Sequence, residues 1–263
     1  MTGLEPRDTP CSACRMTERV LILGATSAIA AEVARLYAAR GARLHLVGRN
    51  PEKMAALTSS LGAASVTTAL ADFSDLARAE ALVREALAEL GGGVDRVLIA
   101  HGELGDQIKT EQSFAEAEAI FRTNLLSVVA LLVPLANALE LQASGTLGVI
   151  TSVAGDRGRP RNYTYGAAKG ALNVYLQGLR SRLFKAGVRV VTLKLGPVDT
   201  PMTVAHTKTA LFGRAPAVAA SIARALDSGV AEAYVPFFWG AIMPVVKYTP
   251  ERVFQWLPFL SGR

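Results

Sequence analysis

Tyr165 and Lys169 bound the segment Tyr165-Gly166-Ala167-Ala168-Lys169, and in a helix residues four apart lie one above the other on the same face. A phenol and an ammonium can then address one point in space. A free phenol titrates near pH ~10, too high for acid–base work at neutrality, and a neighbouring ammonium favours phenolate and lowers that value. Two surface residues on a long helix would show the same spacing. Ser152 precedes the tyrosine, and between them runs Gly155-Asp156-Arg157-Gly158-Arg159-Pro160-Arg161. Arg157, Arg159 and Arg161 can form bidentate pairs with a phosphate, although a solvated or interface loop has the same composition.

These side chains need a scaffold. Arg19-Val20-Leu21-Ile22-Leu23 is a short apolar run that stops at Gly24-Ala25-Thr26-Ser27, after which Ile29, Val33, Leu36 and Tyr37 recur at helical spacing. The same strand–turn–helix alternation predicts strands near 42–47, 65–70, 94–99, 145–151, 188–194 and 231–236. Helices are expected near 28–40, 52–60, 74–90, 113–141, 163–186 and 215–227. Such alternation implies an α/β fold, a doubly wound parallel sheet in a single domain, with ligands at the carboxyl ends of the strands. No repeat, long linker or low-complexity segment interrupts it. The organisation expected is a tail over 1–16, a dinucleotide-binding and catalytic unit over 17–236, and an apolar extension over 237–263.

The turn at 24–30 opens a helix whose free N–H groups and positive dipole end can receive a pyrophosphate, with Gly24, Thr26, Ser27, Ala28 and Ile29 at the contact. Alanine at 28 and 30 is small but cannot sit comfortably at positive φ. The second strand ends Leu46-Val47-Gly48-Arg49-Asn50. An acidic residue there would accept from ribose hydroxyls, whereas Arg49 suits a 2′-phosphate and favours NADP(H) over NAD(H). Asp72 and Phe73 after the third strand, and Ala100, His101 and Gly102 after the fourth, stand where an adenine and its ribose would lie. His101 is given no catalytic role.

Taken together, the glycine turn at 24–30, Asn124 in Arg122-Thr123-Asn124-Leu125, Ser152, Tyr165 with Lys169, and Gly196-Pro197-Val198-Asp199-Thr200 resemble the short-chain dehydrogenase/reductase family across 17–236. The resemblance implies that Tyr165 protonates a carbonyl oxygen as hydride arrives, or deprotonates the alcohol in reverse, while Ser152 hydrogen-bonds that oxygen. It implies that Asn124 holds a water beside Lys169 and relays protons, that Tyr165 and Lys169 also touch the cofactor, and that Gly196, Pro197, Val198 and Thr200 cover the nicotinamide. It further implies a homo-oligomer, dimer or tetramer. The chain departs from the family pattern at His101, where the family has asparagine, at Ala28 and Ala30, where it has glycine, and at Leu195, where it has proline.

The chain has 28 Lys and Arg against 22 Asp and Glu, a net +6, but no basic helix, zinc finger or aromatic platform points to nucleic acid, and none is expected as partner. Cys11 and Cys14 offer two thiolates with no second pair or histidine to complete a zinc site, so no metal is expected. The segment has no signal-peptide core, which makes a cytoplasmic location the expectation. The extension carries Phe237, Phe238, Trp239, Ile242 and Met243, followed by Lys247, Arg252, Trp256, Phe259 and Leu260. Its apolar run is too short to span a bilayer and suits a cover over an apolar ligand, a subunit contact or peripheral contact with the inner face of a membrane. With the arginine loop, Gly102-Glu103-Leu104-Gly105-Asp106 and Pro250-Glu251-Arg252, it is similar to the decaprenylphosphoryl-2-keto-pentose reductases, which implies a 2-keto sugar on a polyprenyl phosphate and a place in cell-wall assembly. A ketoacyl, steroid or quinone-like carbonyl is the alternative within the class. A nonenzymatic NADP(H) sensor or scaffold is the alternative outside it.

Overall fold

The computed structural model describes residues 17–62, 64–201, 209 and 211–258. The expected tail over 1–16 with Cys11 and Cys14, and Phe259 and Leu260 of the extension, lie outside the described residues. Six strands come first in an alternating series: β1 (Arg19–Leu23), β2 (Arg43–Gly48), β3 (Val66–Leu70), β4 (Arg96–Ile99), β5 (Thr146–Ser152) and β6 (Arg189–Leu195). β7 (Val198–Asp199) and β8 (Gly213–Arg214) form a separate two-stranded ladder, and β9 (Glu232–Val235) returns to the main sheet. The seven strands are parallel in the order β3-β2-β1-β4-β5-β6-β9. The chain reverses its direction of build between β1 and β4, and a doubly wound sheet opens its ligand crevice at that switch point.

Successive strand residues face opposite sides of the sheet, so one strand feeds two cores. Val20 and Ile22 of β1 join α1 (Ala28–Ala39), α2 (Pro51–Ser60) and α8 (Ala215–Ser228) on one face. Leu21 and Leu23 join α3 (Ala79–Glu89), α6 (Ser127–Gln142) and α7 (Tyr163–Leu183) on the other. The predicted helix over 113–141 is two helices, α5 (Phe114–Phe121) and α6, joined by a π-helical turn at Arg122–Leu126. The stretch Phe114–Gln142 is long and apolar enough to cross a membrane by composition, yet Val128, Leu131, Leu132, Leu135, Ala136 and Leu139 pack it into the second core. A short α4 (Gln107–Gln112), capped by the Asp106 carboxylate, went unpredicted because six residues carry almost no periodicity.

Two further helices end the described chain, α9 (Trp239–Tyr248) and α10 (Glu251–Trp256). Trp239, Met243, Val246 and Phe254 form a third apolar cluster with Val153, the residue after Ser152. The extension is thus packed against the end of the serine strand. Arg157 fastens it. Its Nη1 donates to the carbonyls of Val246 at 3.0 Å and Lys247 at 3.1 Å and to that of Thr249, while Nη2 pairs with Glu251 at 2.7 Å. Its guanidinium lies 4.0 Å over the Phe254 ring. One side chain thereby satisfies carbonyls that the end of α9 leaves open and a cation–π contact.

Arg157→Ala removes those donors at once. The expected cost is about 1.5–3 kcal/mol, the range for hydrogen bonds involving a charged group. Hydrogen exchange should show 239–256 opening before the sheet; unchanged protection there would contradict the fastening role.

Candidate active site

Strand register places the serine. Ser152 ends β5 opposite Leu195, the last residue of β6, and its Oγ donates to the Leu195 carbonyl at 3.3 Å and accepts from the Ala154 N–H at 3.1 Å. Its position is fixed from both sides. Tyr165 and Lys169 lie in the first two turns of α7, whose Gly166 and Gly170 let the loop 154–155 approach closely: a β-carbon on Gly166 would meet the Ala154 carbonyl at 2.8 Å, and one on Gly170 the Gly155 carbonyl at 3.0 Å. This close packing brings the serine strand and the tyrosine helix together.

Lys169 is buried, and its Nζ donates to the Ile150 carbonyl at 3.2 Å, 5.7 Å from the centre of the Tyr165 ring. Burial lowers its pKa to about 8. Tyr165 moves against the expectation from the sequence: burial pushes its phenol up to about 12, and the hydrogen bond with Ser152 opposes this without reversing it. The Lys169 ammonium is not among the causes. Desolvation penalises the phenolate more than its surroundings stabilise it, so in this structure the phenol is a protonated acid.

Asn124 is fully buried in the π-helical turn. Its Nδ2 donates to the carbonyls of Glu103 at 2.9 Å and Ile120 at 3.1 Å, and its Oδ1 accepts from the Glu103 N–H at 3.2 Å. The side chain therefore ties the loop after β4 to the turn. A β-carbon on Gly102 would lie 2.8 Å from Asn124 Oδ1 and 3.4 Å from Lys169 Nζ, which brings that loop, the asparagine and the lysine to one place.

The expected cofactor residues stand along the carboxyl edge of the sheet. Gly24, with φ of +85°, crosses so near the next turn that a β-carbon would meet the His101 nitrogen at 2.6 Å. Thr26, Ser27, Ala28 and Ile29 are part-exposed at the start of α1, where Ser27 caps the helix by accepting from the Ala30 N–H at 3.2 Å. Ala28 and Ala30 lie inside α1, so helical φ is all they need and alanine supplies it. Arg49 is exposed after β2, and its charge helps hold the Asp72 carboxyl below its ordinary range, behind the larger effect of hydrogen bonds from Ser74.

His101 stacks on Phe73, with ring centroids 4.2 Å apart, and its Nε2 lies 2.8 Å from Ser127 Oγ. That hydroxyl donates to the Thr123 carbonyl at 2.7 Å, so His101 carries its proton on Nε2. Its Nδ1 is a buried acceptor without a partner among the described residues. Burial, with Lys169 second, lowers its pKa to about 3 and keeps it neutral. Ala100, Gly102, Gly196, Pro197 and Thr200 are part-exposed on the same edge, and Val198 is buried behind them. A dinucleotide fits this edge: a close-approach glycine turn, an open helix N-terminus, an unused buried acceptor and an exposed cation.

The arginine loop divides. Arg157 has both terminal nitrogens engaged by α9 and α10. Arg161 is exposed. Arg159 is half-buried, with Nη2 3.5 Å from Met243 Sδ and no partner for Nε among the described residues. Sequence reasoning also missed a charge cluster behind the loop. Lys194 Nζ pairs with Asp156 at 3.0 Å and Glu232 at 2.9 Å, and the Tyr234 hydroxyl donates to Asp156 at 2.8 Å. Asp156, Lys194 and the β9 pair Glu232 and Tyr234 come from three separate stretches of the chain, and no spacing links the three.

The short chain dehydrogenase family model matches residues 18–210. An uncharacterized oxidoreductase of Mycobacterium tuberculosis is 36% identical over 242 residues, covering 91% of this chain and 96% of its own. Levodione reductase superimposes with a TM-score of 0.77 at 26% identity, over 86% of this chain and 99% of that one. A short chain dehydrogenase from Burkholderia cenocepacia, solved in complex with NADP, has a TM-score of 0.78 at 18% identity over 92% and 97%, a likeness of fold.

The two shifted groups set a pH dependence. For carbonyl reduction, kcat/KM should fall as pH rises through about 8, where Lys169 loses its proton, while Tyr165 stays protonated to about 12. Lys169→Arg should carry that alkaline limb beyond pH ~10 at a lower maximum rate, because guanidinium keeps its charge. A limb that does not move in the arginine variant would assign it to another group.

Proposed function

We propose that this chain, which belongs to the short-chain dehydrogenase/reductase family and is a nicotinamide-dependent oxidoreductase, works as an NADP(H)-dependent reductase of a ketone to a secondary alcohol. The observation that carries the reading is the convergence of Ser152, Tyr165 and Lys169 at the end of β5, with the phenol protonated and the ammonium facing it. Levodione reductase is, by its name, a reductase. The cofactor supplies a hydride when bound. Gly24, Thr26, Ser27, Ala28 and Ile29 would hold its pyrophosphate, Arg49 its 2′-phosphate, Asp72, Phe73, Ala100, His101 and Gly102 the adenosine side, and Gly196, Pro197, Val198 and Thr200 the nicotinamide.

Ser152 and Tyr165 then act on the carbonyl oxygen. The serine hydroxyl, already positioned by the Leu195 carbonyl and the Ala154 N–H, turns to donate to that oxygen as it becomes negative. The phenol gives up its proton to the developing alkoxide, and the charge it acquires is stabilised by Lys169. Asn124, which holds the loop after β4 beside Lys169, would hold a water there and relay the proton that restores the phenol.

The finer reading is a 2-keto sugar on a polyprenyl phosphate, met at a membrane surface by a cytoplasmic homo-oligomer. What supports it is an arginine, Arg159, whose Nε has no partner among the described residues, beside an apolar wall from α9, and the exposure of Phe237 just before α9 and of Val245, Tyr248, Val253 and Trp256 on α9 and α10. Such side chains suit the headgroup boundary of a bilayer. Unit boundaries at 17–236 and 237–263 belong to the same proposal.

Tyr165→Phe should cut carbonyl reduction by about 10²–10⁴-fold with NADPH binding retained, the usual range for loss of a general acid. Turnover that survives the substitution would refute the assigned acid. Arg49→Asp should reverse the preference from NADPH to NADH in kcat/KM. Phe237→Ser with Trp256→Ser should lower partitioning onto vesicles of anionic phospholipid; equal partitioning would remove the membrane from the proposal.

A further inference from the structure

Trp239 and Met243 stand four apart in α9, so both lie on the face that packs against the end of the serine strand. Each is in contact with a different part of the site. Trp239 is only 6% exposed, and its indole Nε1 is buried without a hydrogen-bond partner among the described residues. It lies so close over Gly196 that a β-carbon on that glycine would be 2.0 Å from Nε1. Met243 lies one turn further along, with its sulfur against the guanidinium of Arg159.

Arg159 Nε is therefore the second buried donor on this wall without a partner among the described residues. A thioether is a weak acceptor, and Nε has no partner among the described residues. Asp156 attracts it but is committed elsewhere, to Lys194 and to the Tyr234 hydroxyl. Arg161 repels it. The Arg159 carbonyl accepts the Asn162 N–H at 3.0 Å, and the Asn162 carbonyl accepts that of Gly166 at 2.8 Å, so Arg159 is tied to the first turn of the helix that carries Tyr165. A guanidinium partly withdrawn from water, with its nearest carboxylate already committed, gains most where an anion arrives to pair with it.

We propose that Arg159, together with the indole N–H of Trp239, which stands one turn of α9 from the methionine that Arg159 touches, forms an anion-receiving subsite in the substrate pocket. The ketone reduced at Tyr165 carries a phosphate or carboxylate whose oxygens accept from Arg159 and Trp239. This rests on the ketone-reductase reading and narrows it: of the three arginines in the loop, Arg159 selects the substrate. Arg157 belongs to the fold.

The test is equilibrium binding to the protein–NADPH complex, followed by the change in reduced-nicotinamide fluorescence. The probes are one cyclic ketone prepared as its phosphate monoester, its carboxylate and its neutral methyl ester. The charged forms should bind about ten- to a hundredfold more tightly than the ester, as expected for hydrogen bonds to a charged group. Arg159→Met should bring that ratio close to one, Arg159→Lys should keep part of it, and Trp239→Phe should lower it several-fold, each with the native circular dichroism spectrum. Should the methionine variant fail to fold, the lysine variant combined with Trp239→Phe carries the same comparison. The stronger of the two charged probes names the anion. Equal affinity for charged and neutral forms, or a ratio undiminished at position 159, overturns the subsite. Turnover separates the two readings: NADPH oxidation without charge preference sinks the subsite alone, and charge preference without oxidation of any ketone sinks the reductase reading alone.

Discussion

Lys169 is an ammonium held at 3% exposure with the Ile150 carbonyl as its hydrogen-bond partner. Taking a cation out of water is expensive, and one neutral acceptor does not offset it; the depressed pKa of about 8 measures that imbalance. The surrounding structure makes the burial possible. Gly166 and Gly170 let α7 approach the loop after β5 closely enough to enclose the lysine, and Asn124 in the π-helical turn fixes the loop after β4 on its other side.

The same logic organises the other wall. Lys194, Asp156, Glu232 and Tyr234 join β6, the serine loop and β9 through one satisfied charge cluster, and β9 leads straight into α9. Arg157 then locks the far end of α9 to the same loop. Two fastenings at opposite ends of one helix hold Trp239 and Met243 against the site. Against that frame, Arg159 Nε and the Trp239 indole N–H are buried donors left without a partner among the described residues.

What the sequence made legible follows from range. The alternation of apolar runs and helical stripes repeats every few residues, so the strand and helix series was readable, and the spacing of Tyr165 and Lys169 survived into α7 unchanged. Ser152 was readable because a strand end has only a few places to be. The role of Arg157 was not, since its partners lie 89 to 94 residues away and three of the four are backbone carbonyls, which every residue type offers. The direction of the Tyr165 shift was also hidden: proximity of a lysine can be inferred from spacing, but burial is a property of the packed whole. Ala28 and Ala30 looked like defects only against a glycine pattern; in the fold both positions take helical φ.

His101 shows how a departure from a family pattern can preserve its physics. An asparagine offers one acceptor and an amide donor without charge. With its proton on Nε2 committed to Ser127, and with burial and Lys169 holding it neutral down to about pH 3, the imidazole likewise offers one donor in use and one acceptor, Nδ1, left open. A charged histidine here would place a second cation near the buried Lys169, and that repulsion adds to the larger effect of burial in keeping the imidazole neutral. The stack on Phe73 adds what an amide cannot, a flat apolar contact that ties the ends of β3 and β4 together across the switch point.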